Sequence, residues 1–182
     1  MRTSATTTTK PARVAPLVVG SHVFFPGHGV ASVARIENRK FGQEQQEFYV
    51  LDLARGGTLL LPTAKAAQAG VRALVSATAA RKLMKQATTE PEVDRTRWKE
   101  RIALYSDALR TGTAERYTEI LRQLLFRSRS DSLSATERQQ LETAREYFVG
   151  EIGAVLQRSP EQLATQLLTL TDGAASQSEA KQ

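Results

Sequence analysis

Apolar and polar positions follow one rhythm up to Val75 and another after it. His22 to Phe25 is short, β-branched and aromatic. Pro26-Gly27-His28-Gly29 interrupts it with a fixed φ and two residues free to take positive φ. Val30, Ser32 and Ala34 then alternate with Ala31, Val33 and Arg35 as far as Ile36, the period of a strand with two unlike faces. Arg39-Lys40-Phe41-Gly42 reads as the next turn region. Glu47 to Leu53 reads as a strand of high β-propensity, Arg55-Gly56-Gly57 as a tight turn, and Thr58 to Pro62 as a fourth strand stopped by proline.

Beyond Val71 to Val75, which bridges the two rhythms, the spacing becomes helical. Ala77 to Ala87 is rich in helix formers, with Leu83 and Met84 as its apolar contacts, and Thr88-Thr89-Glu90-Pro91 ends it. The next helix is predicted to start near Asp94 or Thr96. Trp98, Ile102, Tyr105 and Leu109 form an apolar stripe on one of its faces, and Gly112 stops it. Ala114 to Arg127 predicts another helix, buried through Tyr117, Ile120, Leu121, Leu124 and Leu125. Ser134-Ala135-Thr136-Glu137 has the form of a capping box, opening a helix that runs through Leu141, Phe148, Ile152 and Val155. Ser159 and Pro160 open the last, buried by Leu163, Leu167, Leu168 and Leu170. Strand runs followed by helical runs predict an α+β protein: a small Tudor/SH3-like β-barrel at residues 17–75, then a compact all-α domain of about five helices at 76–172. Residues 1–16 and 173–182 are too polar to bury a core and read as a disordered arm and tail.

Composition adds three limits to this picture. The 182 residues contain no cysteine, which excludes disulfides, thiolate metal sites and a cysteine nucleophile. No apolar run approaches the roughly 20 residues that cross a bilayer, and the N-terminus lacks the apolar core of a signal peptide. The net charge of +6 is unevenly spread: residues 1–129 hold 21 Lys/Arg against 11 Asp/Glu, and residues 130–182 hold 4 against 8. That asymmetry favours an acidic or polyanionic partner for the front and middle of the chain.

Candidate chemistry is sparse. The two histidines, His22 and His28, make no close metal-ligand pair, and no phosphate-cradling glycine loop or nucleophile elbow occurs. His28 fits a turn role. Glu37, Glu44 and Glu47 fit solvated charges near a turn better than a catalytic pair. The sequence therefore reads as that of a binding protein, not an enzyme, with no cofactor or metal. Two stretches could bind. A barrel of this kind has exposed strand edges that can accept a partner's strand, and Arg39 and Lys40 flank one of them. Arg95, Arg97, Lys99 and Arg101 surround the one tryptophan, Trp98; cations neutralise phosphates and a large aromatic can wedge at an unstacked base step. The stripe pattern alone favours core packing for Trp98.

The order VVGSHVFFPGHGVASVARIENRK, EFYVLDL, LLLP and GVR, then the helical Trp98 with Lys99 and Arg101, then LSATERQQLETAREYFVGEI, resembles the CarD/CdnL family of bacterial transcription regulators. The first module also resembles the polymerase-interaction domain of transcription-repair coupling factor. The resemblance implies docking of the barrel on the RNA polymerase β subunit. It implies that the helical half reaches promoter DNA at the upstream edge of the melted bubble and stabilises the open complex, in the bacterial cytoplasm at the nucleoid. It implies polymerase contact by Arg39, with Lys40 and Phe41 beside it. Leu60 stands where some members carry a second polymerase-contacting arginine. It implies a wedge at Trp98 and DNA contacts from Arg95, Arg97, Lys99 and Arg101. Glu100 and Ala103 stand where some members are basic. That departure leaves room for the helical half to dock another regulatory protein instead of DNA. Long members of the family continue into an AT-hook tail, and the polar end at Gln182 suits a piece cut before one.

Overall fold

The computed structural model describes residues 16–41, 44–92 and 96–167. The arm, the tail, Gly42, Asp94, Arg95, Leu168 and Leu170 lie outside the described residues. Five antiparallel strands come first: β1 (His22–Phe25), β2 (Gly29–Phe41), β3 (Glu44–Leu53), β4 (Thr58–Pro62) and β5 (Arg72–Ala73). They form one sheet in the order β4-β3-β2-β1-β5, of the small Tudor-like kind. Val23, Ala31, Val33, Tyr49, Leu51, Leu61 and Val71 meet in a single core, so the sheet is rolled around its own inner face. A bulge between Val33 and Arg35 adds local twist at the roll. Leu17 closes one end, its amide donating to the Tyr49 hydroxyl at 3.2 Å.

Two expectations for the sheet are corrected. Arg39, Lys40 and Phe41 are not a turn but the last rungs of β2, paired with Gln46, Gln45 and Glu44. The bridging stretch at Val71 to Val75 contributes a fifth strand, pairing Arg72 with Phe24 and Ala73 with Val23.

The helices are α1 (Ala77–Ala87), α2 (Trp98–Thr111), α3 (Ala114–Ser130), α4 (Ala135–Leu156) and α5, a helical run over 160–167. Local signals set their ends. Ser76 caps α1 by accepting from the Ala79 amide at 3.2 Å. Ser134 and Glu137 complete the capping box of α4, and Ser159 and Gln162 exchange hydrogen bonds in the same way before α5. Gly112 ends α2 in the left-handed region, φ 65. A Cβ there would lie 2.6 Å from the Phe24 ring, so the position is closed to other residues on two grounds.

Alternation along β1 and β2 divides the sheet between two cores. Val23 and its partner Ala31 face the rolled interior; Phe24 and its partner Val30 face outward and enter the helical core with Tyr117, Leu121, Tyr147 and Phe148. The Phe24 ring lies 5.7 Å from Tyr117 and 5.1 Å from Tyr147. The sheet thus closes the bundle's core with its own side chains, although the sequence rhythm separates strands from helices.

Polar contacts reinforce this joint. Glu151, fully buried, takes Arg72 Nη1 at 2.6 Å and Nη2 at 2.7 Å, the Val75 amide at 2.8 Å and the Tyr117 hydroxyl at 2.7 Å. The Arg72 guanidinium lies 4.3 Å from the centre of the Phe24 ring and also donates to the Gly112 carbonyl at 2.8 Å. Burial pulls the Arg72 guanidinium down, but the Glu151 carboxylate more than reverses this and holds the cation. Burial, then the Glu151 charge, pushes the Tyr117 phenol well above its ordinary value, which keeps it a donor. The Gly27 amide donates to the Tyr147 hydroxyl at 2.9 Å, and Arg55 pairs with Glu146 at the rim.

Candidate functional site

The β2–β3 ribbon carries the first set of candidate residues. β4 pairs with β3 only over Phe48 to Asp52, so the rungs from Asn38–Glu47 to Phe41–Glu44 extend beyond it as a two-stranded arm. Directly paired residues share a sheet face. Arg35, Val50 and Leu60 form one row, Glu37, Phe48 and Pro62 the next, and Arg39 with Gln46 the one after. Arg39 and Leu60 therefore stand on the same face, about 13 Å apart along the strands and about 10 Å across them. Lys40 and Gln45 belong to the opposite face, so the ribbon does not bring Lys40 to Arg39. Phe41 occupies the last described rung.

On the Arg39 face, Glu37 is held between two arginines, Arg35 at 3.0 Å and Arg39 at 2.5 Å. The Arg39 hydrogen bond, chief among its contacts, holds the Glu37 carboxyl below its ordinary value. Arg35 and Arg39 are exposed, Leu60 is half-buried, and one carboxylate against two guanidiniums leaves a net positive row. The face offers a partner one cation on a rigid strand, an apolar side chain and, along β4, an edge strand with its outer backbone groups unpaired by the sheet.

The second set lies at the far end of the bundle. α2 begins at Trp98, later than the Asp94 or Thr96 start predicted, and Arg97 is its N-cap residue. The expectation of a buried stripe holds only in part. Leu109 is buried and Ile102 and Tyr105 are half-buried, but Trp98 is 48 % exposed. Burial fades toward the helix start, so the indole stands at the tip instead of in the core. Arg97 and Lys99 flank it and are exposed.

Arg101 is the clearest correction. It resembles a DNA-facing cation by position, yet it is 3 % exposed. Its Nη1 donates to the Thr96 carbonyl at 2.9 Å and its Nη2 to Glu137 at 2.9 Å. Glu137 is the capping-box residue of α4, whose other oxygen accepts the Ser134 amide at 3.0 Å and hydroxyl at 2.8 Å. Burial pushes the Glu137 carboxyl up, but the Ser134 and Arg101 hydrogen bonds outweigh it and hold the group below its ordinary value. One carboxylate thus ties the start of α2 to the start of α4. Arg101 positions the helix that presents Trp98, and its charge is spent internally.

Sequence reasoning missed cations that other helices bring to this tip. Arg127, 3.9 Å from Glu137, sits at the end of α3, and Arg129 follows it, stacked 4.7 Å from the Phe126 ring. Arg138 is exposed on the first turn of α4 and donates to the Leu133 carbonyl at 2.9 Å. A signal was available: α3 turns back at Gly112, and the capping box at Ser134 starts α4 where α3 ends, with Glu137 joined to the first turns of α2 through Arg101. Arg127, like Arg101, is committed to Glu137 and also to Asp131, so the tip presents an exposed indole flanked by the exposed Arg97 and Lys99, a surface suited to a polyanion with an aromatic or apolar step. Among the described residues no group of His, Asp and Glu is arranged to hold a metal ion. No helix among them is long and apolar enough to cross a membrane.

Known proteins match both halves. Residues 17–75 match the CarD-like/TRCF RID domain, and residues 80–169 match the CarD C-terminal domain. The chain belongs to the CarD family. It is also similar to the Bacillus subtilis (strain 168) protein named "Putative transcription factor YdeB". The two are 27 % identical over 139 residues, spanning 75 % of this chain and 90 % of that protein. This CarD-family chain thus belongs to a family of transcription factors, and its sheet module is a RID domain, which indicates interaction with RNA polymerase.

Proposed function

We propose that this CarD-family protein holds the RNA polymerase β subunit through the Arg39–Leu60 face of its sheet and sets the indole of Trp98 against promoter DNA at the upstream edge of the melted region. There it slows bubble collapse. The observation that carries this reading is the exposure of Trp98 at the start of a helix whose position Arg101 and Glu137 fix. Burying the exposed half of the indole, roughly 100 Å², against an opened base step is worth about 2.5 kcal/mol at about 25 cal/mol per Å². Every 1.4 kcal/mol or so is tenfold in lifetime. One side chain is therefore enough to change the life of an open complex by an order of magnitude. In this reading polymerase supplies the address, since the cations of the tip meet phosphates, which carry no sequence information.

The experiment is the half-life of promoter open complexes, challenged with competitor, with the parent chain and with Trp98→Ala. The parent prolongs it, and Trp98→Ala loses about tenfold while binding polymerase equally well. Equal half-lives overturn the wedge. A second reading, in which the helical half docks another regulatory protein, draws on Leu104, 60 % exposed beside Glu100 and Ala103 on the outward side of α2. Under it, Leu104→Glu abolishes regulation while Trp98→Ala leaves it intact.

A further inference from the structure

Most arginines among the described residues face carboxylates: Arg35, Arg39, Arg55, Arg72, Arg101, Arg110, Arg122, Arg127 and Arg145 all do. Helix α1 is different. Its eleven residues, ATAARKLMKQA, hold three cations and no acid. Arg81, Lys82 and Lys85 are all exposed, and none makes an ion pair among the described residues. The opposite face is fully committed, with Ala80, Leu83, Met84 and Ala87 buried in the core, so α1 cannot turn its charges elsewhere. Arg81–Lys85 at i, i+4 and Lys82–Lys85 at i, i+3 are like-charge pairs, each destabilising an isolated helix by about 0.2–0.5 kcal/mol. Lys85, in the last turn, gains from the helix dipole, but Arg81 and Lys82 have no such compensation from an ion pair among the described residues.

We infer that the outward face of α1 is a phosphate track for duplex DNA, separate from the tryptophan tip. Arg81 and Lys85 lie about 6 Å apart along the helix axis, close to the rise of two phosphates on one strand. Thr89 and Arg97 are separated by eight residues, which span at most about 28 Å. At Glu92 the chain touches α3, where its carbonyl accepts from Gln123 at 3.4 Å. From Lys85 to Trp98 the chain spans at most about 40 Å, close to one turn of duplex at roughly 35 Å. Glu90 and Glu92 are exposed just past the helix and limit the track to α1 itself. An acidic protein segment could present carboxylates at a similar spacing, and the β-subunit arm of the test separates it from duplex DNA. The inference rests on the reading that the bundle meets DNA, and it adds a contact to the flanking duplex that the wedge does not make.

The test is the salt dependence of binding of the full chain to a labelled duplex, for the parent, for Arg81→Gln/Lys82→Gln/Lys85→Gln and for Trp98→Ala. Glutamine keeps the helix propensity and length of the side chains it replaces. The track predicts that the triple variant lowers the slope of log K against log salt by about 2.7, about 0.9 per cation. It also predicts that the variant binds the polymerase β subunit as the parent does. An unchanged slope overturns the track, as does a loss of β-subunit binding with DNA binding intact, which would mark an acidic protein partner. If the slope is unchanged but Trp98→Ala still shortens open-complex lifetime, only the track is lost. If neither variant changes its readout, the reading of the bundle as a DNA-contacting unit goes with it.

Discussion

Glu151 takes both terminal nitrogens of Arg72, at 2.6 and 2.7 Å, across the seam between sheet and bundle. Glu151 is fully buried and Arg72 stacks on Phe24, the sheet residue that completes the helical core. Four donors satisfy this buried carboxylate; without it the Arg72 guanidinium, mostly buried against Phe24, keeps only the Ala73 and Gly112 carbonyls as acceptors. Glu151→Gln is therefore expected to cost about 3–5 kcal/mol of unfolding free energy. Urea titration checks this. Because both cores share the joint, the parent should unfold in one transition by fluorescence and by far-UV circular dichroism alike.

Arg101 and Lys99 make a controlled pair, two residues apart on the same helix. If Arg101 positions α2 from inside, Arg101→Gln destabilises the fold by about 2–3 kcal/mol, because Glu137 loses its closest cation and keeps the Ser134 donors and the more distant Arg127. It also loosens Trp98, lowering the indole's fluorescence anisotropy. Lys99→Gln leaves stability within about 0.5 kcal/mol and lowers the DNA salt slope by about 0.9. The reverse ranking would return Arg101 to the DNA face.

The Glu137 carboxyl, held below its ordinary value of 4.5 in the folded chain, sets a pH window. A depressed folded value means that its contribution is complete above about pH 4.5 and is lost as pH falls through the folded value. Glu119 shifts the same way: burial pushes it up, and the hydrogen bonds from Arg122 and Gln123 outweigh that. Stability should be flat from neutral pH down to about 4.5 and decline below it. Glu137→Gln should make the decline shallower without removing it, as Glu119 still titrates. Denaturant midpoints across that range, with the indole emission followed in parallel, test both statements.

Gly112→Ala puts a Cβ at φ 65 and 2.6 Å from the Phe24 ring. The left-handed conformation alone costs about 1–2 kcal/mol for an L residue, and the displaced ring adds to it. Thermal unfolding should fall by several degrees. A loss under 1 kcal/mol would mean that the seam can shift without penalty.

Much of the scaffold was legible from local signals. The helix over Ala77 to Ala87, the stop at Gly112 and the box at Ser134–Glu137 each depend on residues within four positions of one another, which a linear reading can see. The features that matter for the site are non-local. Nothing near Arg39 says that it faces Gln46 across a ribbon and not solvent at a turn; that follows from strand pairing. Nothing near Arg101 names Glu137, 36 residues on, as its partner. Alternation along β1 marks Phe24 as apolar on the second face, but only the arrival of Tyr117 and Tyr147 makes that face a core. Trp98 reads as core because its spacing is that of its stripe, while its exposure comes from lying at the first helical residue, past the end of the packed layer.

The central claim is that one end of the molecule grips polymerase while the indole at the other end meets DNA. A photo-crosslinking side chain placed at position 98 tests it most directly, in complexes assembled from polymerase, promoter and the full chain. The account predicts crosslinks to promoter DNA at the upstream edge of the melted region, present with polymerase and lost when Arg39→Glu weakens docking. Crosslinks confined to protein, or DNA crosslinks that do not need polymerase, would contradict it.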